Sequence, residues 1–526
     1  MADRLTVVSV LAALCACPCG HLLAQCPDGS SPPCRSSHPG SAPTASSVAV
    51  LYFENLSRDT TDIYLADGLT EDITAKLGQV SRLAVTSRAA VRRLHDAASM
   101  PTAVLGRTLN VGYLVSGSVQ RSGERLRVTV ELLRAMTGQR LWGEQYDRSA
   151  ADLLAIQEEI ARAVASGITG RLLPAEQATL AARPTLSPEA YDHYLRGNRL
   201  MWRQTERTIT AAIREYEVAL RIDSTFAAAR GRLAFAYGFV LNWSYQPESL
   251  LIDSLLGRAA RTTARALHDD STSSDAWLAR SMVLFFGGRN DELGEALAAA
   301  RRAALLNQTD DAGQGWYGTL LRRAGRFAEA YQQYRLARSI NPWNVQAVAD
   351  AGFTAYLERR YADARQWYDS AIALDTTFST QFALRARVRA SQGDLRGALD
   401  DATRALRLAT PSERLRMAAE LAEMEARNGE RDSARARLER TFAALGWPQG
   451  VPPGVISVRN AYDPVLAAAN LGMTDVAIGI LQQARPRGAW LWSYLYWKDF
   501  DVLRSDPRFA HIFATAQPPG APKVPP

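Results

Sequence analysis

The sequence predicts a multidomain chain, a small α/β domain followed by an all-α solenoid of stacked helix pairs. Two observations predict it. Between residues 275 and 410 the chain repeats itself every 34 residues. Before that, from residue 47 to 173, short apolar runs, amphipathic stretches and turn dipeptides alternate. A length of 526 residues exceeds what one core accommodates.

The first 24 residues read as an export signal. Arg4 supplies a positive start, and Leu5 to Cys17 is a 13-residue run of mostly small apolar residues. A membrane span needs ~20 residues, so the run fits a signal sequence better. Cleavage after Ala24, lipid attachment at Cys17 and retention as an uncleaved membrane tether are the three outcomes. All place the protein in the periplasm or cell envelope. Export permits a disulfide. Cys26 and Cys34 either close a tight loop or remain as two free thiols in the flexible Ser- and Pro-rich linker of residues 25–46. All five cysteines precede residue 35, which excludes thiol chemistry from the folded regions. The six histidines are scattered without ligand spacing.

Residues 47–173 form the α/β domain. Val48 to Phe53 is a buried-strand run. Asp62 to Leu77 is helical, with Ile63, Ala66, Leu69, Ile73 and Leu77 on one face. Leu83 to Val85 suggests a second strand, and Ser87–His95 and Pro101–Leu109 suggest helices. A meander follows over Tyr113–Arg121, Leu126–Arg134 and Gln139–Tyr146, with turns at Ser122-Gly123 and Thr137-Gly138. Its middle strand alternates Val128, Val130 and Leu132 against Arg127, Thr129 and Glu131, so one face is wet. An amphipathic helix runs from Ala151 to about Leu172. Tyr64-Leu65-Ala66-Asp67-Gly68-Leu69-Thr70-Glu71, Gly117-Ser118-Val119, Leu141 to Arg148 and Gln157 to Ile160 resemble the TolB-like amino-terminal domain of bacterial envelope and signalling proteins. Tyr52 departs from the proline common in that family. In such proteins a kinase, cyclase or winged-helix domain often precedes the TolB-like domain. Here a leader precedes it, so the usual signalling output is expected to be missing.

Residues 174–188 are rich in Ala and Pro and read as a linker between independently folding units. Repeats occupy residues 189–445. Ala296, Ala330, Ala364 and Ala398 keep the 34-residue step, as do Ala303, Ala337, Ala371 and Ala405. Small residues mark close helix contacts, and stacking must bury what one pair cannot. Gly318, Leu321, Ala330, Tyr334, Ala337 and Pro342 resemble the tetratricopeptide repeat, and Gly352, Ala364, Tyr368 and Ala371 continue it. Residues Phe226 to Asp269 form one expanded unit. Seven helix pairs are expected, with an eighth toward the end. Residues 446–515 read as a helical cap sealed by Trp490, Trp492, Tyr494, Tyr496 and Trp497, a ligand site being the other reading. The Asp501–Phe509 stretch resembles the terminator of such arrays, and residues 516–526 read as a disordered tail.

No catalytic pattern occurs: no phosphate loop, dinucleotide fingerprint, His-Glu-Xaa-Xaa-His or Gly-Xaa-Ser-Xaa-Gly. No cofactor or metal is expected. The 58 arginines against 3 lysines are dispersed among acids, with a net charge of +7, which excludes a clustered nucleic-acid face. The resemblance to tetratricopeptide repeats implies a concave groove that binds a protein or peptide. Arg280, Arg322, Arg323, Arg385 and Arg389 are candidates for a cationic lining that takes acidic peptides, or are plain surface arginines. The expected function is a non-enzymatic exported scaffold whose TolB-like domain contacts an envelope component. The alternative is a sensory or regulatory module lacking its own output domain. Nothing in the sequence sets the oligomeric state.

Overall fold

The computed structural model describes residues 46–517 except 93, 95–99, 202–205, 244–248, 288–291, 412, 448–455 and 486–488. Residues 1–45, which include the stretch expected to be an export signal and Cys26 and Cys34, and residues 518–526 lie outside the described residues.

The first unit is a mixed sheet. Strand β1 (Ser47–Val50) pairs in parallel with β3 (Ala84–Val85) on one side and β4 (Tyr113–Ser122) on the other, and the short β2 (Glu54–Asn55) also pairs with β4. Strands β4, β5 (Arg125–Arg134) and β6 (Arg140–Ser149) form the expected antiparallel meander, in the register Val119 to Val128 to Tyr146. Its turns place Gly123 and Gly138 at φ 60° and 68°, where a side chain is strained. Leu126, Val128, Val130 and Leu132 are buried while Arg127 and Thr129 are exposed, so β5 has one dry face. Helices α1 (Ile63–Gly78) and α4 (Leu153–Thr169) cover that face. On the other side, α2 (Arg88–Arg92) and α3 (Thr102–Leu109) enclose a smaller core of Ala49, Leu105, Leu109 and Leu114. Trp343, from the solenoid, packs against this second core.

Helix α1 is buried on two faces. Ala66, Leu69, Ile73 and Leu77 face the sheet as expected, yet Asp67, Gly68, Thr70 and Glu71 are buried too. Asp67 and Gly68 face α6 (Pro188–Met201), which lies against α1, while Thr70 accepts from the Phe53 N–H at 3.1 Å and Glu71 pairs with Arg88 of α2 at 3.1 Å. A Cβ on Gly68 would sit 2.7 Å from Leu195, so this glycine is what lets the two helices approach. Arg199 meets Asp67 at 2.5 Å, and Tyr64 donates its hydroxyl to Asp192. The stretch read as a linker is also ordered. Residues Pro174–Ala181 form α5, with Pro at the first turn and Glu176 accepting from the Leu173 N–H at 2.8 Å. Arg82 pairs with Glu176, and Lys76 donates to the Leu180 and Ala182 carbonyls at 2.7 and 2.8 Å. Composition misread this segment because proline at a helix start terminates nothing.

From α6 onward the described residues form eight consecutive helix pairs, which stack as a solenoid. They are α6 with α7 (Glu206–Ile222), α8 (Ala227–Trp243) with α9 (Ser249–Asp269), α10 (Ser274–Gly287) with α11 (Leu293–Leu306), and α12 (Asp311–Arg323) with α13 (Phe327–Ile340). Then come α14 (Val345–Leu357) with α15 (Tyr361–Leu374), α16 (Ser379–Ser391) with α17 (Leu395–Leu408), α18 (Arg414–Arg427) with α19 (Arg431–Leu445), and α20 (Val458–Asn470) with α21 (Thr474–Gln483). The 21-residue α9 accounts for the expanded unit. Ala296, Ala330, Ala337, Ala364, Ala371, Ala398 and Ala405 are fully buried, as are Tyr334 and Tyr368 to within 1%. Tyrosine against glycine recurs as the packing device. A Cβ on Gly197, Gly318 or Gly352 would lie 2.5, 2.7 and 3.3 Å from the rings of Tyr216, Tyr334 and Tyr368. Ala364→Leu is expected to cost ~1–3 kcal/mol by overpacking this seam. Thermal unfolding checks it, and an unchanged midpoint would contradict the packing.

The turns inside the pairs form a further column. Gly325, Arg359, Gly393 and Gly429 have φ of 75°, 60°, 86° and 90°. Arg359 is the exception, because a non-glycine residue in this region costs ~1–2 kcal/mol.

The last segment differs from a simple end cap. After strands β7 (Ile456–Ser457) and β8 (Ala484–Arg485), which pair in parallel, come α22 (Ala489–Leu495), a 3-10 stretch Lys498–Leu503, and α23 (Pro507–Ala516). Asp506 caps α23 by accepting from the Arg508 N–H at 2.8 Å. Ala516, read as the start of a disordered tail, ends this helix and is buried. Among the described residues no helix is long and apolar enough to cross a membrane.

Candidate partner-binding groove

The first helices of the pairs carry one row of side chains that recurs with the repeat step. Phe353 on α14 and Arg387 on α16 stand 34 residues apart, one repeat step. The next step is two residues longer, and Glu423 on α18 continues the row. Tyr356 and Arg427 lie one turn further along α14 and α18. On α12 the same end carries Arg322 and Arg323.

Residues 491–503 occupy this row. Trp497 packs edge-on against Phe353 at 4.9 Å between ring centres and against Tyr462 of α20 at 5.0 Å. Tyr494 stacks on Tyr462 at 4.8 Å. Tyr496 reaches Phe327 at 6.3 Å. Asp499 accepts from the Tyr356 hydroxyl and from Arg427 at 2.9 Å. Trp492, Trp497 and Tyr496 are almost fully buried. The aromatic group is therefore not a seal on the last repeat alone. It runs back along units whose first helices are α12, α14, α16 and α18.

Under this segment sits a buried charge cluster. Arg387 binds Glu420 and, at 2.5 Å, Asp463, with Glu423 at 3.0 Å and Asp499 at 3.7 Å. The guanidinium also lies 5.3 Å from the Trp497 ring centre. Four carboxylates thus converge on one buried arginine, with Arg427 and Arg416 at the margins. Burial pushes Glu423 up to about 7 and Glu420 well above the carboxylate range, against the pull of Arg387. The folded chain holds these protons where the unfolded chain, with Glu near 4.3, has released them. Their contribution to stability is complete below about pH 4 and is lost as pH rises toward 7 and beyond. Urea unfolding at pH 5.5 and 8 is expected to show lower stability at pH 8, and Glu423→Gln is expected to flatten that difference. A Glu423→Gln protein with the same pH slope as wild type would contradict this.

Of the five arginines read either as a cationic lining or as plain surface residues, Arg322 and Arg323 are buried, Arg385 and Arg389 are held in ion pairs, and Arg280 keeps a partly exposed side chain. Arg322 is buried, paired with Asp350 at 3.3 Å and placed over the Phe353 ring at 4.6 Å. Arg323 is buried, donates to Ser493 and covers the Tyr494 ring at 4.7 Å. Arg385 is gripped by Asp401 at 2.7 Å and Asp369 at 2.7 Å. Arg389 turns to the Gly397 carbonyl at 3.0 Å and Asp401 at 3.3 Å. Arg280 pairs with Glu295 of its own helix pair at 3.4 Å. Arg385, Arg389 and Arg280 serve the seam between paired helices, because position on a first helix does not fix which face carries the charge. The groove residues Phe353, Tyr356, Arg387, Glu420, Glu423 and Asp463 were not singled out by sequence reasoning. The signal that finds Phe353 and Arg387 is the repeat column itself, read for its variable rather than its constant positions. Among the described residues no cluster of three or more His, Cys, Asp and Glu side chains is arranged to hold a metal.

No family model matches the sequence. A stretch of 261 residues is 30% identical to a Rhizobium meliloti (strain 1021) protein named "Putative adenylate cyclase 3". The match covers 49% of this chain and 43% of that protein, so the chain spans less than half the length of this relative. Solved structures with some likeness include PilF of Pseudomonas aeruginosa, at 17% identity and a TM-score of 0.33 over 42% of this chain and 95% of that one. A tetratricopeptide repeat protein from Parabacteroides merdae has 12% identity and a TM-score of 0.37 over 50% of this chain and 96% of its own. Yeast Tom70 has 14% identity and a TM-score of 0.40 over 69% of this chain and 82% of its own. Likenesses at this level assign no role to any residue of this chain.

Proposed function

We propose that the chain is a non-enzymatic scaffold that docks protein partners in the groove of its helix-pair solenoid, is exported, and contacts an envelope component through its TolB-like sheet domain. The observation that carries the reading is the row Arg323, Phe353, Tyr356 and Arg387, which holds a short polypeptide segment by aromatic and charged contacts. A surface that seats one such segment has the chemistry to seat another. Repeat solenoids use their inner curve in this way. The test is photocrosslinking in the native host. A benzophenone residue at Gln346, exposed and two turns before Phe353 on the same face of α14, is compared with one at the exposed Arg335 on α13. Discrete protein adducts from Gln346 and not from Arg335 support the reading. Equal or absent adducts at both positions would sink it.

A second reading is a regulatory module of a signalling system. It is favoured by the partial match to a relative named as an adenylate cyclase. Identification of the adduct separates the two, since an envelope protein supports the scaffold and a cyclase or kinase supports the module.

A further inference from the structure

We propose that residues 491–503 are a resident plug of the groove, and that the partner is a protein segment carrying an aromatic residue, a second aromatic three positions on, and a carboxylate two positions beyond. The proposal rests on the groove reading above and names the occupant. Tyr494, Trp497 and Asp499 supply that pattern in the chain itself. Each has a dedicated receptor on the groove row. Tyr494 lies between the Arg323 guanidinium and the Tyr462 ring. Trp497 fills the space between Phe353, Tyr462 and Arg387. Asp499 is taken by the Tyr356 hydroxyl and Arg427.

Two observations distinguish a plug from a permanent part of the core. The segment reaches Arg323 and Tyr356 across a chain separation of 170 and 143 residues, whereas an end cap needs only its neighbouring repeat. In addition, Arg359 adopts the left-handed backbone that glycine adopts in the flanking units, and its guanidinium ties to Asp501 at 3.3 Å. A strained residue is kept where its side chain latches the segment, as strain collects at switch elements.

The test uses the full chain and a labelled peptide of residues 489–503. Hydrogen exchange of wild type is expected to show residues 491–503 opening at least tenfold faster than α14 and α16. Asp499→Asn is expected to speed that opening a further tenfold and leave α14 and α16 unchanged. The peptide is expected to bind Asp499→Asn at least tenfold tighter than wild type, whose groove is filled. A peptide with Trp497→Ala and Asp499→Ala is expected not to bind. Exchange of the segment at the rate of α14 and α16 in both proteins would make it permanent core and overturn the plug. Equal binding of the two peptides would overturn the recognition pattern. A dimer seen by light scattering in Asp499→Asn would identify the occupant as the segment of a second copy, and would overturn the partner assignment. The groove reading fails separately, when Gln346 gives no adduct in the native host although the peptide binds.

Discussion

Arg387→Met is expected to cost about 3–5 kcal/mol of stability at neutral pH, the largest effect of any single substitution in the solenoid. Methionine nearly fills the arginine's volume, so the loss is electrostatic rather than a cavity. In the wild type, Glu420, Glu423, Asp463 and Asp499 share one buried cation. Removing it leaves their charges facing one another out of water. Arg427 still meets Asp499 at 2.9 Å and Glu423 at 3.4 Å, which leaves Glu420 to be relieved by protonation, and burial already pushes Glu420 and Glu423 in that direction. The deficit of the variant is therefore expected to shrink as pH falls from 8 to 5. A second arm isolates the charge. Adding Glu420→Gln and Glu423→Gln to Arg387→Met is expected to recover a large part of the loss, a coupling of the size seen between contacting residues. Urea unfolding across pH measures all three proteins. A near-neutral Arg387→Met at pH 8 would mean that the cluster is open to water.

That cluster shows where sequence reading stops. The strands, the meander and the repeat were legible because each leaves a periodic trace: alternation along β5, the helical face of α1, and the 34-residue step of Ala330, Ala364 and Ala398. Arg387 leaves none. In a chain with 58 arginines, one that is buried among four acids looks like its neighbours. Arg322, Arg323, Arg385 and Arg389 were legible as charges on first helices, but their partners Asp350, Tyr494 and Asp401 are set by tertiary contact. The aromatic run at Trp492 to Trp497 was legible as something buried. Its destination was not, because no local pattern reports a contact between Arg323 and Ser493 at a separation of 170 residues. Pro174 was read as a break because its composition resembles a linker, while the capping by Glu176 depends on a geometry that composition does not carry.

A fragment of residues 46–173 is expected to be far less stable than one of residues 46–243, although the sequence suggests a boundary near Pro174. The sheet domain does not finish its own core. Tyr191 and Leu195 of α6 and Phe226, in the turn before α8, belong to the same cluster as Leu69, Val128 and Ile160. Polar ties reinforce the seam, among them Gln157 with Tyr191 at 2.7 Å and Arg199 with Asp67 at 2.5 Å. Ending the chain at Leu173 exposes the surfaces that these side chains cover. Each large side chain is worth ~1.5–3 kcal/mol, so the three together forfeit roughly 5–9 kcal/mol. That equals the whole stability of many domains, ~5–15 kcal/mol. The shorter fragment is expected to melt broadly and bind a hydrophobic dye, and the longer one to melt cooperatively. Gly68→Val tests the same seam in the intact chain. Its side chain would drive into Leu195, which lies 2.7 Å from the first added carbon, and the expected loss is ~1–3 kcal/mol. If residues 46–173 melt as sharply and as high as residues 46–243, the sheet domain is self-sufficient and its contact with α6 is only a docking of two finished units. With the expected result, the α1 motif around Asp67-Gly68 is the surface that fuses sheet domain and solenoid into one folding unit.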